Sequence, residues 1–93
     1  MVIAVITWEL EILGAQSLKE KRSVVKSLKD RLHDRFNVSA AETAHHDLWQ
    51  RAQITAAVVA GDGKQAESVL QEANRLVENE YRARIISATK QWF

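Results

Sequence analysis

Residues 2–13 read VIAVITWELEIL and alternate without a break. Val2, Ala4, Ile6, Trp8, Leu10 and Ile12 fall on one side, and Ile3, Val5, Thr7, Glu9 and Glu11 on the other. A period of two over so long a stretch is the mark of a β-strand. The wholly apolar side predicts a covering layer of helices; the other side begins apolar and ends acidic. Gly14 permits the turn out of the strand.

The period then changes. Ser17-Leu18-Lys19-Glu20 forms a capping box, in which the serine and glutamate side chains each satisfy a backbone N–H that the first helical turn leaves orphaned. Behind it, Leu18, Val25, Leu28, Leu32 and Phe36 recur at the spacing of a buried helical stripe, with Asn37 as the expected stop. Residues 38–44 (VSAAETA) predict a second strand whose register is weakly specified, because small residues occupy both faces. HHDLWQRA, residues 45–52, reads as a connection, and Gln53–Ala60 alternates as a third strand ending at Gly61. Asp62 can cap a second helix with Gln65 at the reciprocal position, and Ala66, Val69, Leu70, Ala73, Leu76 and Val77 form its apolar stripe down to about Asn79. Tyr81–Phe93 closes the chain as a strand centred on Ile85 and Ile86.

Two split strand-helix-strand units in succession predict an α+β ferredoxin-like sandwich, a βαββαβ order with an antiparallel sheet and both helices on one of its faces. Right-handed crossovers put the first and third strands at the centre. Ninety-three residues fit a single domain spanning 1–93, and an apolar fraction of 46% with 27% charged residues is that of a folded soluble chain. The helix-free face would carry Ile3, Val5, Ala57 and Val59, a patch that predicts cover from a second copy of the chain or from its own C-terminal segment. A homodimer is therefore expected, with face-to-face and edge-to-edge forms both open.

No residue constellation commits to a reaction. The chain has no cysteine, which excludes disulfides, thiolate metal sites and cysteine nucleophiles. Met1–Trp8 lacks a basic leader and is followed by Glu9 and Glu11, and no apolar run approaches the ~20 residues of a membrane span, so a cytoplasmic location is expected, away from membranes. His45, His46 and Asp47 suggest metal ligands, with Glu42 as a further donor, but adjacent side chains point apart and a polar loop is the expected reading. GDGK at 61–64 lacks the glycine and the Ser or Thr of a phosphate-binding loop, having Val58 and Gln65 in their places. The helix-free side of the third strand shows Gln53, Thr55, Ala57 and Val59, without the rings on which RNA-recognition motifs stack bases. No catalytic residue, metal or cofactor is expected.

Charge is placed unevenly despite a net +1. The first helix carries Lys19, Lys21, Arg22, Lys26, Lys29, Arg31 and Arg35 against Glu20, Asp30 and Asp34, whereas the second is predominantly acidic. Lys19, Arg22, Lys26 and Lys29 follow steps of three, four and three and make one stripe, a candidate nucleic-acid-binding surface weighed against an ordinary solvated face. Asp47, Trp49, Gln50 and Arg51 form a candidate recognition loop. A large aromatic there is expected to plug the end of the core, the alternative being an exposed recognition residue.

The run SLKEKRSVVKSLKDRL at 17–32, with NVS at 37–39 and DLWQRA at 47–52, resembles the YlxP-like family of small bacterial proteins over nearly the whole chain. The family is of unknown function, and the alanine-rich AAETAHH departs mildly from its more β-branched second strand. The resemblance implies a ferredoxin-like fold. Because such proteins are often encoded beside translation initiation and ribosome-maturation factors, it also implies a bacterial cytoplasmic protein that acts on RNA or in ribosome assembly. It assigns no catalytic residues, so a non-enzymatic role is expected, with ribosomal RNA or a ribosomal subunit as partner. The alternatives are a small-molecule regulatory module of the ACT type, which shares this topology and binds near the first strand-to-helix turn, here Leu13–Ser17, and a purely protein–protein role.

Overall fold

Eleven residues of alternation make β1 (Val2–Ile12) the spine of the sheet. The computed structural model describes residues 1–93 and continues with α1 (Leu18–Arg35), β2 (Ser39–Ala44), β3 (Arg51–Ala60), α2 (Gly63–Glu78) and β4 (Ala83–Trp92). All pairings are antiparallel, in the order β2-β3-β1-β4, which is the ferredoxin-like arrangement with β1 and β3 at the centre.

Register explains the alanines. Ile6 faces Ala56, Leu10 faces Ala52 and Ala4 faces Val58, so large and small side chains complement one another across the central pair. The side chains of Ala4, Ile6, Trp8, Leu10 and Ile12 are sealed beneath the helices together with Val24, Val25, Leu28 and Leu32 of α1 and Ala66, Leu70, Ala73, Leu76 and Val77 of α2. Trp8 satisfies its buried indole by donating from Nε1 to Asn74 Oδ1 at 2.8 Å.

Both helix starts are set by their caps. Ser17 Oγ accepts the N–H of Glu20 at 3.1 Å, and Glu20 returns a carboxylate oxygen to the N–H of Gln16 at 2.7 Å. Asp62 accepts the N–H of Gln65 at 2.8 Å. The expected placements move most in three elements. α1 ends at Arg35 because Phe36 turns extended, so Asn37 does not act as the stop. β3 begins at Arg51, because Arg51 and Ala52 already pair with Glu11 and Leu10. Ile85 and Ile86 lie near the start of β4, where its register slips opposite Glu9 and Leu10, and not at its centre.

The helix-free face carries the apolar group expected of it. Ile3, Val5 and Ala57 are half-buried and Val59 is 63% exposed. The C-terminal segment does not fold over this group: it lies in the plane of the sheet, where Phe93 and Ile3 exchange backbone hydrogen bonds of 2.8 and 3.1 Å. No helix is long and apolar enough to cross a membrane.

Candidate nucleic-acid interface

The cap at Ser17 sets the phase of α1, and burial of its apolar stripe turns the basic residues outward. Lys19, Arg22 and Lys26 are exposed and Lys29 is half-buried. Three of the four meet: Arg22, Lys26 and Lys29 line a groove of about 470 Å³ between α1 and β2, with Val25, Asp30, His33 and Glu42. Lys19 stands apart, on a cleft of about 590 Å³ at the turn between β1 and α1, with Gly14, Ala15, Ser17, Glu20, Ser23 and Arg82 around it.

Both acids of the groove are neutralised. Lys26 Nζ lies 2.7 Å from Asp30 Oδ2, a bond that raises the lysine's pKa and lowers the aspartate's. Glu42 is claimed from below by Lys21, whose Nζ sits 2.6 Å from Oε2 and also donates to the carbonyl of His45 at 2.9 Å. Lys21 is fully buried, and sequence reasoning missed it. The signal was present: position 21 is three past Leu18 and four before Val25, so the step of seven in the apolar stripe skipped an occupied place on the same face. No ion pair of the molecule engages Lys19, Arg22 or Lys29.

The three histidines are engaged separately. His33 Nε2 accepts the N–H of Ala40 at 3.1 Å, on the outer edge of β2, and the ring of His46 lies 3.2 Å from the carbonyl of Glu42. His45 adopts a left-handed backbone (φ 64°) and sets its ring nitrogen 3.0 Å from Glu9 Oε2. Glu9 is a hub that the sequence did not single out. Gln53 is its leading donor, joined by His45 and Arg51, and together they hold its carboxyl below the usual range against the opposing effect of burial.

The 45–50 connection is pinned at both ends and turned out between them. Leu48 donates its N–H to the carbonyl of His45 at 3.1 Å, the Gln50 side chain donates to the carbonyl of Ala15 at 3.1 Å, and the Gln50 carbonyl accepts the N–H of Ile12 at 2.9 Å. Asp47 and Trp49 are thereby directed outward, and Trp49 is 52% exposed. The expected plug over the core is corrected: Trp49 is half exposed and lies outside the buried cluster, to which Ile12 and Ala15 belong. The candidate loop also divides. Gln50 is a structural tie, and Arg51 belongs to β3, bonded to Glu9 at 3.2 Å.

Such a molecule falls in the class of small ferredoxin-like α+β proteins with a cationic groove along the first helix. The chain belongs to the family of proteins of unknown function DUF503, whose model matches residues 3–90. It is 34% identical over 85 residues to the uncharacterized protein YlxP of Bacillus subtilis (strain 168), covering 91% of this chain and 92% of that one. The YlxP-like resemblance read from the motifs is thus correct. Among solved structures it is similar to protein YJCS, with a TM-score of 0.61, 11% identity and 96% of each chain covered. It is also similar to a de novo designed protein with ferredoxin fold, with a TM-score of 0.55, 18% identity, and coverage of all of this chain and 83% of the other. At these identities the likeness is one of fold.

Proposed function

We propose that this protein is a non-catalytic module of the bacterial cytoplasm that binds structured RNA through the groove between α1 and β2, with ribosomal RNA or a ribosomal subunit as its partner and ribosome maturation as its setting. The observation that carries this reading is the charge balance of the groove. Asp30 and Glu42 are each spent on a lysine, which leaves Arg22 and Lys29 as cations without an acidic partner beside Lys26. Cations in that state bind phosphate by releasing counterions, with little preference for sequence. Contacts from Arg22 and Lys29 give a log–log salt dependence with a slope of roughly −1.5 to −2. The test is co-sedimentation with ribosomal subunits, and binding to structured RNA, across a salt series. Arg22→Gln with Lys29→Gln should weaken binding at low salt and flatten the slope, while Lys64→Gln at the start of α2 should do neither. Unchanged binding by the double variant would reduce the stripe to a solvated face.

One observation favours a second reading, an ACT-like ligand module. The 590 Å³ cleft lies at the β1–α1 turn, where such modules bind, and offers Ser17, Ser23, Lys19 and Arg82 to a small polar molecule. A rise in melting temperature with a free amino acid, abolished by Ser23→Leu, would select this reading over RNA binding.

A further inference from the structure

The two edges of the sheet are treated differently. On β2 two outward backbone groups are already taken, the N–H of Ala40 by His33 and the carbonyl of Glu42 by His46, so another strand would have to break these bonds to pair along this edge. On β4 nothing comparable exists. Because Ile3 and Phe93 exchange both of their backbone hydrogen bonds, alternation along the ladder points the N–H and C=O groups of Ala88, Lys90 and Trp92 away from β1, and no hydrogen bond of the molecule reaches them. Residues 86–93 are all exposed, Ile86 by 44%, Trp92 by 46% and Phe93 by 71%. An edge lysine ordinarily repels a second strand. Here Lys90 is drawn off the edge by Glu67 of α2, 2.8 Å away.

From this asymmetry we infer that β4 is a homodimerisation edge: a second copy adds its own β4 antiparallel to the first about a two-fold axis at Thr89, joining two four-stranded sheets into one of eight strands. The occupant is a second copy because one open edge and one obstructed edge favour the isologous pairing, β4 on β4, which closes at two chains and does not propagate as a β4-on-β2 contact would. The register follows from side chains. An axis at Lys90 would set two lysines directly opposite, which is unfavourable. An axis at Thr89 sets Ala88 against the partner's Lys90 and keeps the paired stretch, residues 88–90, clear of the bulge at Ile86. Ala88 borders a groove of about 430 Å³ shared with Asn74 and Glu78, and Glu78 is a carboxylate that no cation within the chain engages. The partner's Lys90, which keeps its own bond to Glu67, then stands over the small Ala88 side chain and meets no like charge.

The chain lacks cysteine, so one introduced thiol reports the axis directly. In this register residue 89 meets its own copy in a non-hydrogen-bonded pair, about 4.5 Å between Cα atoms and within disulfide reach, whereas residues 88 and 90 stand two places from their copies and beyond it. Thr89→Cys under mild oxidation should give a covalent dimer on a non-reducing gel, and Ala88→Cys and Lys90→Cys should not. Sedimentation equilibrium should show the unmodified chain as a dimer. Ala88→Pro, which removes only an outward N–H, should sediment as a monomer with an unchanged circular dichroism spectrum. A parent that stays monomeric at its solubility limit, a folded Ala88→Pro that still dimerises, or cross-linking that favours 88 or 90 would each overturn the inference. If Ala88→Pro fails to fold, the cysteine series decides alone.

Discussion

Lys21 concentrates the chemistry of this fold at one residue. A fully buried ammonium persists only because Glu42 Oε2 and the carbonyl of His45 receive it at 2.6 and 2.9 Å. It also ties α1 to the far end of β2 and anchors the strained His45 backbone, whose ring in turn reaches Glu9 on the opposite face of the sheet. Lys21→Ala leaves the Glu42 carboxylate, itself only 13% exposed, without its counter-charge, and should cost roughly 3 kcal/mol in urea denaturation. Lys21→Met combined with Glu42→Gln should recover most of that loss, because the penalty comes from the unpaired charge and not from lost packing. If the double variant is no more stable than Lys21→Ala, the pair is not the reason for the lysine's burial.

Among the elements, the β2–β3 connection departs furthest from its expected role. Its ends are fixed by Gln50, Ile12 and His45, and its tip presents Leu48 and Trp49, both about half exposed. Buried large aromatics cost about 3 to 5 kcal/mol on truncation to alanine. Trp49→Ala should instead shift stability by less than about 1 kcal/mol, the range of a surface change. The same substitution made alongside the RNA titrations asks whether the exposed indole contributes to binding. A stability loss above about 3 kcal/mol would restore the plug that sequence alone suggested.

Across the whole molecule, Glu80 locks the layers together. It lies between α2 and β4, is 4% exposed, and accepts from the backbone and guanidinium of Arg82 and from Arg31 of α1. Arg82 bonds, foremost from its side chain, outweigh burial and hold the Glu80 carboxyl at about 2, against 4.5 in the absence of the fold. Between those values the unfolded chain binds the proton and the folded one does not. Glu80 therefore contributes stability that is complete above about pH 5 and is lost as pH falls towards 2, about 3 kcal/mol in all. Denaturation midpoints measured from pH 6 down to pH 2 should fall for the parent more steeply than for Glu80→Gln, and parallel curves would show that another carboxylate governs acid unfolding.

Periodicity and caps were enough to establish the element order, the central place of β1 and β3, the inward row of β1 and the starts of both helices. Each of these depends on neighbours within a few residues, which local sequence records. The cationic stripe was legible for the same reason, since three- and four-residue steps on a helix share a face. Long-range pairing decided the rest. That Lys19 parts from Arg22, Lys26 and Lys29, that Glu42 lies under Lys21, and that Glu9 gathers donors from His45, Arg51 and Gln53 all follow from how β2 and β3 are registered against β1 and α1. The alanine-rich second strand left that register unspecified along the chain, because small residues on both faces fit either way until a core is packed against one of them.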